Sequence, residues 1–141
     1  MQGEAPNNMK SPSSMELSSQ LYQSGREAME QRQFDVAVAL LRSSAELCPH
    51  FKTLELLGEC LLELPGRSSE ATPFLTAAAG RGNKSSRAFF LLARALSLQG
   101  DIQGAIEKLD IAIEIQPQYK AAIQLRDELR NRTHAAPEER E

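Results

Sequence analysis

The chain has no tryptophan, and among its 141 residues it carries two tyrosines and five phenylalanines. A core must therefore be built from Leu, Ile and Ala, and with β-branched residues sparse that composition favours helices over strands. Cysteine is also scarce. Cys48 and Cys60 cannot make a disulfide framework, and since both fall inside apolar helical patterns they read as buried free thiols. The two histidines, His50 and His134, have no Cys or His partner at ligand spacing, which excludes a zinc site. There is no phosphate-cradling loop, no dinucleotide fingerprint, and no nucleophile placed beside a base. No enzyme activity and no cofactor are expected. An apolar run of the ~20 residues that span a bilayer is missing. So is a basic N-terminal region followed by an apolar stretch, and the expected compartment is the cytoplasm. Basic charge is not in excess either: the net charge is −3 and the pI about 5.5, which argues against a nucleic-acid partner.

What is present is ordinary for one globular domain, with 41% hydrophobic and 25% charged residues. Residues 1–15 hold Gly3, Pro6, Asn7, Asn8 and Pro12 with little to bury, and 133–141 are polar with Pro137. Both ends are expected to be disordered tails flanking a domain over 16–132. Inside it the apolar pattern is helical throughout, with no period-two alternation.

Self-comparison shows the organisation. Ala37, Ala71 and Ala105 are spaced 34 residues apart, as are Leu41, Leu75 and Leu109, and Pro49 and Pro117 lie 68 apart. Each anchor sits in an amphipathic helix, and each such helix follows another. The preceding helices put Leu21, Gly25 and Ala28, then Leu54, Leu57, Gly58 and Leu61, then Phe89, Leu92, Ala93 and Leu96 on one face. Gly25, Gly58 and Ala93 let a partner helix approach closely. Short turns at Arg32-Gln33, Pro65-Gly66-Arg67 and Gly100-Asp101 make three helical hairpins.

This pattern resembles the tetratricopeptide repeat (TPR) family. The third repeat is similar to the family motif at Phe89, Leu92, Ala93, Leu96, Ala105, Leu109, Ala112 and Pro117, and the first at Leu21, Gly25, Ala37, Leu41, Ser44 and Pro49. The second departs from it. Its first helix is displaced by one residue, its turn gains the compensating residue, Asn83 stands where the closing proline would be, and Pro73 falls near the start of its second helix. The resemblance implies an all-α, right-handed solenoid of three helix-turn-helix repeats, at about 18–51, 52–85 and 86–119. After Pro117, Ala121, Ala122, Leu125 and Leu129 form an apolar stripe, read as a capping helix over 118–132.

The family's function is to bind another protein, a peptide or a helix, in a concave groove lined by the first helix of each repeat. The resemblance places Ser19, Tyr22, Arg26, Met29 and Glu30 of the first repeat there. Lys52, Glu55, Glu59, Leu62 and Glu63 follow from the second, and Arg87, Phe90, Arg94, Ser97 and Leu98 from the third. Such a groove suits a partner of mixed charge with one or two apolar anchors. The alternative is that the charges only solvate helix faces and that Tyr22, Met29 and Phe90 belong to the core. One TPR subfamily clamps the acidic C-termini of the Hsp70 and Hsp90 chaperones. At its clamp positions this chain has Tyr22, Arg26, Leu56, Arg87 and Leu91, of which Arg87 alone keeps the required charge. Binding of that peptide class is not expected. An adaptor, assembly factor or complex subunit is the leading expectation, as a monomer or weak homo-oligomer. A self-associating structural protein and a small client-shielding chaperone stand as alternatives.

Overall fold

A computed structural model describes the backbone of residues 11–80 and 85–139, and side chains as far as Thr133. The described residues form seven α-helices and no strand: α1 Ser14–Glu30, α2 Phe34–Leu47, α3 Phe51–Leu62, α4 Ser68–Gly80, α5 Ser86–Leu98, α6 Ile102–Ile115 and α7 Lys120–Glu139. Consecutive helices pack on each other, α3 also touches α1 and α5, and the result is the expected series of three hairpins closed by a last helix.

Local chemistry explains the helix ends. Ser13 and Glu16 form a reciprocal capping box, with the Glu16 N–H donating to Ser13 Oγ (3.1 Å) and the Ser13 N–H to Glu16 Oε1 (2.8 Å). That box starts α1 at Ser14, inside the segment expected to be a tail. At the far end of α1, Arg32 takes a left-handed conformation (φ 61°), and the Gln33 N–H donates to the Ala28 carbonyl. Gly100 does the same after α5 (φ 89°), where the Asp101 N–H donates to the Leu96 carbonyl.

The hairpins are held by small residues facing large ones. A Cβ on Gly25 would meet Leu41 Cγ at 2.7 Å, and a Cβ on Gly58 would clash with the Leu75 side chain. Leu41, Leu75 and Leu109, spaced at 34, are all fully buried. Filling such positions contributes about 1.5–3 kcal/mol per side chain. Ser18 and Ser44, also buried, bond each other's backbone: Ser18 Oγ donates to the Ser44 carbonyl (3.0 Å) and Ser44 Oγ to the Ser18 carbonyl (2.8 Å). The pair satisfies its hydroxyls inside the α1–α2 seam.

One core cluster runs through the first two hairpins to Leu91, Leu92 and Ala95 of α5, and a second joins Ala93, Leu109 and Ala112 to Ala122 and Leu129 of α7. The buried Ala122 and Leu129 close the end of the stack, and Arg126 (3.0 Å) and Arg130 (3.8 Å) both reach Asp110 of α6. Helical backbone continues past Arg132 to Glu139, beyond the boundary set for the tail.

Two expectations need correction. Pro73 stands inside α4, at its sixth residue and not at its start, because the helix already begins at Ser68. Its missing N–H leaves the Ser69 carbonyl without its helical donor. Cys48 is half-buried at the C-cap of α2, whereas Cys60 is fully buried. Burial, with Glu59 and Glu63 adding to it, pushes the Cys60 thiol up to about 12. Asn83 lies outside the described residues.

Candidate partner-binding groove

The first helices of the hairpins, α1, α3 and α5, lie side by side, and the clefts between them divide the expected groove into parts. A cleft of about 280 Å³ is walled by Arg26, Met29 and Glu30 of α1, Leu56 and Glu59 of α3, and Arg87 of α5. Five of those six are expected groove residues; Leu56 enters the resemblance as a clamp position that cannot hydrogen-bond a carboxylate. A second, of about 250 Å³, is lined by Met15, Ser18, Ser19, Tyr22, Cys48, His50, Lys52 and Thr53. His50 earns its place structurally, since its Nδ1 accepts from the Lys52 N–H (3.1 Å) and caps α3, with its ring stacked on Phe51. Arg94 stands apart with Ser97, Leu98 and Leu125 around a smaller hollow of about 140 Å³. Leu62 is buried in the core, and Glu63 is the exposed C-cap of α3, outside these clefts.

The central charges are paired across helices. Arg87 Nε lies 3.5 Å from Glu55 Oε2 and Arg87 Nη2 2.5 Å from Glu59 Oε1. Both carboxylates are largely covered, 16% and 15% exposed, while Arg87 is 49% exposed. Glu55 also accepts from Ser85 Oγ (3.0 Å), which in turn caps α5 by accepting from the Ala88 N–H. Burial opposes the charge on Arg87, but Glu59 and then Glu55 outweigh it and hold the guanidinium above its ordinary range. Arg26 and Glu30, by contrast, are 4.0 Å apart at the exposed rim, where such a pair contributes little.

Tyr22 and Met29 are half-buried, packing against the core with one side while each lines a cleft; Phe90 is half-buried against both core clusters and lines none of these clefts. Phe90 is further covered by Tyr119, ring centroids 5.2 Å apart. Burial raises the Tyr119 phenol, with the neighbouring Arg87 pulling it back down. No repeat position in the sequence marks Tyr119. It lies in the link before α7, and only the return of the chain onto α5 brings it to this face. Leu91, a clamp position in the resemblance, is 1% exposed and part of the core.

The Tetratricopeptide repeat family model matches the chain over residues 22–86 and 65–120. The chain belongs to the tetratricopeptide repeat family. Solved TPR structures superpose on it over most of its length. The Arabidopsis OM64 TPR domain has TM-score 0.80 at 22% identity, covering 84% of this chain and 98% of that one. The first TPR of Spaghetti (RPAP3) bound to the HSP90 peptide SRMEEVD has TM-score 0.80 at 13% identity, covering 84% and 94%. YrrB, described as a TPR protein with an unusual peptide-binding site, has TM-score 0.73 at 23% identity, covering 78% of this chain and 57% of that one. No curated protein matches the sequence. For this TPR domain the likeness establishes the fold. Among its described residues no helix is long and apolar enough to cross a membrane, and no group of His, Cys, Asp and Glu could hold a metal ion.

Proposed function

We propose that this TPR domain is a non-catalytic interaction module of the cytoplasm, an adaptor or assembly factor that holds a peptide or one helix face across α1, α3 and α5. The cleft at Arg26, Met29, Glu30, Leu56, Glu59 and Arg87 carries the reading: it is concave, apolar at Met29 and Leu56, and edged by charges of both signs. Two neighbours in fold are described with peptide ligands or peptide-binding sites, which supports a protein partner for this chain too. An acidic C-terminal peptide of the chaperone type does not suit the groove. Arg87 is already engaged by Glu55 and Glu59, and Leu56 and Leu91 offer a carboxylate no hydrogen bond.

The test is affinity capture with the intact chain and with Glu59→Lys and Arg94→Glu variants. Partners of the intact chain are expected to be lost with both variants. Partners retained by both would place binding elsewhere on the molecule. Titration with a peptide ending in Glu-Glu-Val-Asp should give no micromolar binding. Light scattering at micromolar concentration separates this reading, which expects a monomer, from a self-associating structural role.

A further inference from the structure

The first hairpin leaves open a side that the second one covers. Two sides of α2 are occupied. Leu41 and Ser44 face α1, Leu41 against Gly25 and Ser44 bonded to Ser18. Ala45 and Arg42 face the next hairpin: Ala45 shares a cluster with Leu54 and Phe74, while Arg42 pairs with Glu70 (3.5 Å) and lies over the Phe74 ring. The helical period turns Val36, Leu40, Ser43 and Leu47 away from that hairpin. Val36 is 45% exposed and Leu47 39%. Phe74 and Ala77, 34 residues after Leu40 and Ser43, show what such a side does elsewhere in the stack, since Arg42 and Ala45 of α2 cover them. Among the described residues no helix lies on the matching side of α2.

We infer that this stripe is the seam of a weak two-fold dimer, with α2 antiparallel to α2 of a second copy. The spacing along the stripe is four, three and four residues, so it reads alike in both directions. Antiparallel pairing then sets Val36 against Leu47 and Leu40 against Ser43 of the other copy, each contact made twice. Steps of four and three are those of a coiled-coil seam. Leucine against serine repeats the contact of large on small that holds Leu41 on Gly25 and Leu75 on Gly58. The stripe carries no charge by which a different partner would be selected, and residues 1–10 offer only Met1, Ala5 and Met9 to cover it. A seam along one helix of about 21 Å buries less than the ~800 Å² per partner of a standard interface. The pairing therefore belongs above the micromolar range, where the domain is a monomer. None of the four residues lines the clefts described above, so the inference does not rest on the groove reading.

The experiment is sedimentation equilibrium of the whole chain from about 10 μM to about 1 mM. The mean mass should rise from one chain toward two and stop there, because a two-fold contact closes on itself. Exposed Asp35 and Glu46 stand beside the stripe, so the acidic flanks of the two copies meet and added salt should tighten the pairing. Val36→Glu and Ser43→Arg should each abolish the rise. Both positions are exposed, so circular dichroism and the thermal midpoint should stay as in the parent chain. Val36→Glu combined with Leu47→Lys should restore it, since positions 36 and 47 face each other across the seam. No rise at the highest concentration, a rise that survives both single variants, or one that continues past two copies would overturn the inference. Loss of association without rescue by the charge pair would overturn it too, because the copies would then not meet antiparallel along α2.

Discussion

The first and third hairpins turn on the same hydrogen bonds, whereas the middle one arrives at the same packing by another route. After α1 and α5 the backbone closes on left-handed residues, Arg32 and Gly100, with matching bonds from Gln33 to Ala28 and from Asp101 to Leu96. Gly66, midway between them at the 34-residue spacing, is left-handed too (φ 76°), but α3 has already ended at Leu62 and the turn is made by Leu64-to-Leu61 and Arg67-to-Leu64 bonds. The middle hairpin also carries a proline inside α4 and a glycine one residue out of register. Even so, Gly58 lies against Leu75 as Gly25 lies against Leu41. The helix-to-helix contact therefore sets the hairpin, and the turn adapts to it.

Removing the contact should have the largest effect. Leu75→Ala, like Leu41→Ala in the first hairpin, should cost about 2–5 kcal/mol in denaturant-induced unfolding, since both leucines are fully buried. If turn geometry governed instead, the irregular middle hairpin would lose far less from Leu75→Ala than the first loses from Leu41→Ala. Pro73→Ala attacks from the opposite side. The residue is exposed, so its replacement opens no cavity, and a restored N–H can serve the Ser69 carbonyl. Stability should rise by up to about 3 kcal/mol, with a higher midpoint and an unchanged denaturant slope. No gain would mean that α4 is shaped by its neighbours and not bent by the proline.

The spacing of 34 was enough to place the three hairpins because each repeat buries the same small-against-large contact, and such contacts recur in the sequence itself. Cross-helix chemistry leaves no such trace. Arg87 could be assigned to the groove, but its pairing with Glu55 and Glu59 joins separate helices and depends on rotamers that no periodicity records. Tyr119 over Phe90 is similar, because the link before α7 belongs to no repeat. Pro73 was misplaced for a local reason: where α4 begins decides whether the proline is harmless, and Ser68 starts it earlier than the proline alone suggests. The capping box at Ser13 and Glu16 was legible in principle, as a serine followed three residues later by a glutamate, and shows that polar composition alone set the N-terminal tail too long.

Register can be tested at the glycine. In the third hairpin Ala93 is fully buried in the cluster that holds Leu109, so a Cβ fits there. At Gly58 a Cβ would press on a Leu75 side chain with nowhere to move. Gly58→Ala should therefore cost about 1–2 kcal/mol, overpacking exceeding the roughly 1 kcal/mol gained in helix propensity. Ala93→Gly should cost about 2 kcal/mol, about 1 from propensity and about 0.8 from the lost buried methyl. A stabilising Gly58→Ala would show that the middle hairpin is looser than its neighbours.

The smallest effect lies at the second-helix starts, where the first and third hairpins part company. Asp101 caps α6 by accepting from the Gly104 N–H (2.9 Å), while Gln33, at the same place in the first repeat, makes no side-chain cap. Asp101→Ala should cost about 1 kcal/mol, and Gln33→Ser should gain about 0.5 kcal/mol. Serine is the better choice than aspartate, because Asp35 already stands in the first turn and a second carboxylate would repel it. Asp35 Oδ1 also accepts from the Val36 N–H (2.9 Å), the donor a serine at position 33 would seek. Thermal melts of Gln33→Ser alone and together with Asp35→Ala decide between the two acceptors. A gain that emerges only in the double variant would show that Asp35 is the first hairpin's substitute for the cap that Asp101 provides in the third.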